Sequence, residues 1–182
     1  VYAKELMRKL GIPTADFQVF DDAEKAIAYV RAANRPLVVK ADGLAAGKGV
    51  IVCSGPDEAE AAVRQMMVEK AFGAAADRVV VEECLQGEEA TLMFFLDGES
   101  AAPMVPSQDH KRRDEGDAGP NTGGMGCYAP VPAVPQPLIA EVEQGVVEPI
   151  LEAMDVRGTP YKGVLYVGLM LTDDGYRVLE FN

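Results

Sequence analysis

The chain has 182 residues, 48% hydrophobic and 25% charged, enough for one medium domain or two small ones with a buried core. A formal net charge of −12 argues against nucleic-acid and acidic-membrane binding, and admits a polyanionic substrate only where local lysines or a divalent metal offset the field. The cysteines Cys53, Cys84 and Cys127 form no Cys-x-x-Cys pair, which argues against zinc and disulfide frameworks and fits a reducing, cytoplasmic setting.

No stretch reads as a secretory leader, and the apolar runs fall far short of a membrane span. Residues 1–10 read as a helix, stopped by Gly11-Ile12-Pro13-Thr14. A chain that opens inside a helix without methionine and closes on a strand at Asn182 is expected to be a piece of a larger protein. Residues 16–20 alternate as a strand does. Asp21-Asp22 then offers an N-cap for a helix whose buried face is Ala23, Ala26, Ile27 and Val30, closed by Pro36. Leu37–Lys40 predicts a short buried strand, and Val50–Cys53 another. Pro56 fits the first turn of a helix with the stripe Ala59, Ala62, Val63, Met66 and Met67. Val79–Leu85 reads as a strand carrying Glu82 and Glu83, with Gln86-Gly87 as a hinge.

Beyond the hinge, 90–97 and 101–106 predict two strands joined by an Asp97-Gly98 hairpin turn. A helix is expected over about 138–154, with Leu138, Val142, Val146 and Ile150 on one face. Strands at 161–171 and 175–182 pair through Thr172-Asp173-Asp174. The fold class is α+β, in two small lobes. Between the second pair of elements lies a long run, Ser107 to Gly126, that holds the sole histidine, His110, alternating charges and a glycine cluster. So long a loop in a compact domain points to function.

Three motifs carry chemistry. Gly43 to Gly49 looks like a P-loop but fails its spacing: three residues separate Gly43 from Gly47, Gly49 follows Lys48, and the loop joins two strands. It reads instead as a glycine-rich hairpin with Lys40 at its base and Lys48 at its tip, two ammonium groups able to hold one triphosphate. Strand-edge backbone at Glu82–Leu85 suits an adenine, and a following acid suits ribose hydroxyls, although exposed acids beside a strand give the same letters. Glu180 and Asn182 share one strand face, with Phe181 turned to the core, and their oxygens suit a hard magnesium ion.

Together these residues resemble the ATP-grasp fold, in which two α+β lobes clamp ATP. Lys40 to Val50, Gln108 to Arg112 and Gly119 to Gly126 are similar to the phosphoribosylamine–glycine ligases, and the likeness runs from Ile12 to Asn182. It implies a carbon–nitrogen ligase of de novo purine synthesis. ATP, with Mg²⁺ or Mn²⁺, phosphorylates glycine to glycyl phosphate, and 5-phosphoribosylamine displaces the phosphate. It implies that Lys40, Lys48, Gly47 and Gly49 hold phosphates, that Glu82, Glu83 and Leu85 hold adenine, and that Glu89 holds ribose. Glu180 and Asn182 hold the metal, and Asn121, Thr122, Gly123, Gly124, Met125 and Gly126 turn backbone N–H groups toward a substrate anion. Asp109, His110 and Lys111 orient the amine and glycine, with Asp109 the candidate proton acceptor; His110 reads equally well as a structural hydrogen-bonder. A monomer is expected.

The chain departs from the family pattern in three ways. Gly168 stands where many ATP-grasp enzymes carry an acidic ligand, the chain stops before an Arg-Phe-Gly-Asp-Pro-Glu segment, and flanking domains are absent. Residues 1–19 are expected to link from an N-terminal domain, 20–86 to form the lid lobe and 87–182 the central lobe. The piece alone is expected not to turn over. Rival readings are a carboxylase-type purine ligase, disfavoured by the Gln108–Lys111 and Asn121–Gly126 motifs, and a non-catalytic nucleotide-binding module.

Overall fold

The computed structural model describes every residue except Leu44, Ala46, Gly47, Lys48 and Asp117, and the backbone alone of Ala118, Pro120 and Asn121. Its internal contacts divide the chain into two compact units: Val1–Glu5 with Ala15–Leu85, and Leu6–Thr14 with Gln86–Asn182. Helix α1 (Tyr2–Leu10) contributes to both.

The first unit is a four-stranded antiparallel sheet in the order β1-β4-β2-β3, built from β1 (Phe17–Phe20), β2 (Leu37–Ala41), β3 (Val50–Cys53) and β4 (Val79–Glu83). Helices α2 (Ala23–Ala33) and α3 (Pro56–Val63) belong to the same core. The Asp22 side chain caps α2 by accepting from Lys25 N at 3.0 Å. Asn34, left-handed at φ 45°, closes it before the expected Pro36 is reached, since a left-handed residue ends the helical ladder by itself. The stripe expected on the next helix is buried in full, Ala59, Ala62, Val63, Met66 and Met67 included. Past α3 the helix widens: Glu69 N donates to Arg64 O at 2.9 Å, a five-residue step. This looser turn lets two consecutive methionines face the core. Strand β4 lies inside the sheet, and Val79, Val80, Val81 and Glu82 are all buried.

The second unit centres on a sheet ordered β12-β11-β5-β6. Strand β5 (Glu88–Asp97) pairs with β11 (Lys162–Thr172) from Glu88↔Leu171 to Asp97↔Lys162. Strands β6 (Ala101–Pro103) and β12 (Gly175–Phe181) flank them. The turn after β5 is longer than an Asp-Gly pair: Leu96 faces Ala101, and Asp97 Oδ1 accepts from Glu99 N at 3.0 Å and Ser100 N at 2.7 Å. An aspartate that satisfies two turn amides makes the four-residue loop competitive with the tighter one. The helix expected over 138–154 is α4 (Gln136–Val142), a wider turn at Glu143–Val147, and α5 (Glu148–Val156). That turn again buries two neighbours, Val146 and Val147.

The segment expected as a loop, 107–126, is an antiparallel arm. Strand β7 (Gln108–Asp109) pairs with β10 (Cys127–Tyr128), and β8 (Arg112–Asp114) with β9 (Ala118–Asn121). Between the two ladders, Thr122 N donates to Lys111 O at 2.7 Å, Met125 N to His110 O at 3.0 Å and His110 N to Gly126 O at 2.9 Å. Paired amides at Thr91 and Ser107 tie its base to β5.

Candidate functional site

In the first unit Lys40 lies on β2, and Glu82 and Glu83 lie on β4. Antiparallel pairing sets Val38 opposite Glu82, so Lys40 lies two residues along the neighbouring strand. Lys40 Nζ stands 3.0 Å from Glu82 Oε2, and Lys4 Nζ, from α1, stands 3.5 Å from the same oxygen. Glu82 is 2% exposed, which corrects the picture of acids hanging off a strand edge. Burying this carboxylate is tolerable because two ammonium groups meet it. Its other oxygen, Oε1, has no hydrogen-bond partner among the described residues. Glu83 is half-buried, 3.9 Å from Arg35, and spends its amide on Asp16 O. The ladder ends there, and Leu85 follows beyond it. Gly49 is buried, and Ala41 N donates to its carbonyl oxygen at 2.8 Å, closing the base of the glycine-rich hairpin. Gly47 and Lys48 lie outside the described residues.

In the second unit a cleft is lined by Glu89, Asp109, Lys111, Tyr166, Gly168 and Glu180, among others. Glu89 is the second residue of β5, and its carboxylate lies 3.3 Å from Lys111 Nζ. Burial works to lower the Lys111 pKa, but Glu89, Tyr166 and Glu180 outweigh it and hold the ammonium above its ordinary value. Gly168 pairs with Glu180 across β11 and β12, and a β-carbon there would come 3.2 Å from the Tyr166 ring and 3.4 Å from Glu180 Cγ. Glycine therefore leaves the floor of the cleft to Tyr166 and Glu180, where an acidic residue had been the family expectation. The register slips between Gly168 and Leu169, so β12 carries a bulge and adjacent Leu179 and Glu180 both reach the cleft.

Asn182 exchanges backbone hydrogen bonds with Tyr166, at 2.8 and 3.2 Å, which puts it on the same face as Glu180. Among the described residues no three His, Cys, Asp or Glu side chains gather around a metal position. The donors present, an exposed carboxylate and an exposed amide, are hard oxygen groups at an open strand end. Such a set fits a magnesium or manganese ion that takes most of its shell from water and phosphate.

The arm positions the remaining expected residues. Asp109 is half-buried in the cleft, and Gly124, at φ +101°, packs against it: a β-carbon would sit 2.8 Å from Asp109 Oδ2. His110 is exposed and stacks on Tyr128, ring centroids 5.7 Å apart. Tyr128 donates to Gln108 Oε1, while Gln108 Nε2 donates to Glu88 Oε1 at 2.9 Å and Glu89 O at 2.8 Å. Not all expected anion-binding amides are available. Thr122 spends both its amide and its hydroxyl on Lys111 O, Gly124 N donates to Thr122 Oγ1 at 3.1 Å, and Met125 N is held by His110. Asn121 pairs through its backbone with Arg112, while Gly123 and Gly126 are exposed. Lys4, Thr91 and Tyr166 were not legible as site residues; Thr91 Oγ1 donates to Tyr166 Oη at 3.2 Å. Lys4 carried a faint signal, a charge in helical register with apolar Met7.

This architecture superposes on the crystal structure of phosphoribosylamine–glycine ligase from Thermotoga maritima with a TM-score of 0.90 and 36% identity, over 100% of this chain and 46% of that one. The class is ATP-grasp, mixed α and β around antiparallel sheets. The family model described as "Phosphoribosylglycinamide synthetase, ATP-grasp (A) domain" matches residues 1–182, and the chain belongs to that family. It is 52% identical over 182 residues to the human trifunctional purine biosynthetic protein adenosine-3, of which it spans 18%. It is 51% identical over 181 residues to a phosphoribosylamine–glycine ligase of Streptococcus pyogenes, of which it spans 43%. The chain thus covers less than half the length of these relatives. No helix among the described residues is long and apolar enough to cross a membrane.

Proposed function

We propose that this chain is the ATP-handling part of a cytoplasmic, monomeric enzyme that joins glycine to 5-phosphoribosylamine, giving glycinamide ribonucleotide, ADP and phosphate. The observation that carries the reading is the cleft in the second unit. There Asp109 and Lys111, from the motif that distinguishes this ligase, meet Glu89 and Glu180 from the sheet. Membership of the family and the names of the relatives support it.

In this reading Lys40 and Lys48 neutralise phosphate charge, with Gly47 and Gly49 giving the hairpin close backbone approach. Glu82 to Leu85 receive the adenine, and the unpartnered Glu82 Oε1 is an acceptor suited to an amino group. Glu89 takes the ribose. Glu180 and Asn182 would hold Mg²⁺ or Mn²⁺, which when bound would offset phosphate charge. A glycine carboxylate oxygen attacks the γ-phosphorus and ADP leaves. The phosphoribosylamine nitrogen then attacks the glycyl carbonyl carbon, and the carbon–oxygen bond to phosphate breaks. Lys111 steers the anionic glycine, and Asp109 accepts the proton the amine loses. Phosphoryl transfer of this kind rests on positioning and charge neutralisation. With so much of the relatives' length outside it, the chain alone is not expected to turn over.

A coupled ADP-release assay on the full-length protein tests this. Release should require glycine and phosphoribosylamine together; release at the same rate without phosphoribosylamine would refute the ligase reading.

A further inference from the structure

The buried group around Glu82 sets two ammonium groups against one carboxylate. Lys40 and Lys4 both converge on Oε2, at 3.0 and 3.5 Å. They are not equivalent. Lys4 has a side chain 6% exposed, donates to Ala15 O at 3.2 Å and lies 5.0 Å above the Phe17 ring. These contacts fix it in place. Lys40 sits near the end of β2 with a side chain 19% exposed, so it alone of the two has a path toward a ligand in solvent.

A buried carboxylate cannot give up its countercharge cheaply. If Lys40 is to leave Glu82 for a phosphate, another cation must remain. We propose that Lys4 is that permanent counter-ion, a positioning residue that frees Lys40 to exchange Glu82 for the nucleotide. The proposal rests on the reading of Lys40 as a phosphate contact. Lys4 itself touches no ligand in this scheme; it acts through Glu82.

The readout is the ratio of ATP to adenosine affinity, measured by calorimetry on the full-length protein. Adenine and ribose contacts cancel in this ratio, and so does any general loss of folded protein. Lys40→Met should lower the ratio about 10- to 100-fold, the worth of a charge-assisted contact. If it does not, the phosphate reading falls, and this proposal with it. Lys4→Met leaves Lys40 as the partner of Glu82 and should lower the ratio about tenfold. Lys4→Met with Glu82→Gln removes the hold and should return the ratio to within about threefold of wild type. An unchanged ratio in Lys4→Met, or a double variant as low as Lys4→Met, would overturn the role of Lys4 while leaving that of Lys40 intact. If Lys4→Met loses adenosine binding as well, Glu82→Gln alone decides. The ratio should then rise above wild type, and an unchanged or lower ratio counts against the proposal.

Discussion

Replacing Gly124 by alanine probes the arm at the point where its backbone meets the cleft. Gly124 adopts φ +101°, a conformation that costs a residue with a β-carbon about 1–3 kcal/mol. The new methyl group would also sit 2.8 and 2.9 Å from the two Asp109 carboxylate oxygens, so the carboxylate must turn away. Strain of that size should speed local opening of the arm by about 5- to 150-fold. Amide hydrogen exchange at His110 and Met125 reads it directly, because these N–H groups bond to Gly126 O and His110 O across the same turn. Turnover of the full-length protein should fall in parallel as Asp109 loses its place. Gly123→Ala is the control for exchange, since nothing lies within 4 Å of its added carbon. Wild-type exchange and turnover in Gly124→Ala would refute the reasoning, as would equally fast exchange in both variants.

Asp109→Asn should lower turnover about 10²-fold while the KM for ATP stays within about threefold, as expected for loss of a proton acceptor; unchanged turnover removes Asp109 from the mechanism. Glu180→Ala should abolish the magnesium dependence of ATP binding in a calorimetric titration, and a dependence that survives shows that Glu180 is not a ligand. Cys53 gives a pH test. Burial, with smaller contributions from Glu58 and Cys84, raises its thiol from 9.0 to about 11. The unfolded state therefore loses the proton first, so this contribution to stability is intact below pH 9 and declines toward pH 11. Urea unfolding should show that decline in wild type and less of it in Cys53→Ala.

What could be read from the sequence was local or periodic. The stripe Ala59, Ala62, Val63, Met66 and Met67 follows helical spacing, and all five are buried. The strand-to-strand hairpin between β2 and β3 follows from two apolar runs around a glycine-rich loop. The arm at 107–126 was legible as a functional stretch by its charges and glycines. Its ladders of two to four residues are too short to show alternation, and the pairing of β7 with β10 joins the two ends of the arm. Glu82 misled for a similar reason. After Val79-Val80-Val81 an acid looks like the solvent end of a strand, and its burial depends on Lys4, which sits among Glu5, Arg8 and Lys9 in what reads as a surface helix. The bulge at Leu179 precedes Glu180 and leaves its alternation with Asn182 intact, but it brings Leu179 to the cleft beside Glu180, and one inserted residue in a strand leaves no mark in composition.

The proposed ligase chemistry requires that the glycine carboxylate attack phosphorus. Glycine labelled with ¹⁸O in both carboxylate oxygens, turned over by the full-length protein with ATP and phosphoribosylamine, tests this by mass analysis of the released phosphate. One labelled oxygen in each phosphate is the predicted result; phosphate free of label would contradict it.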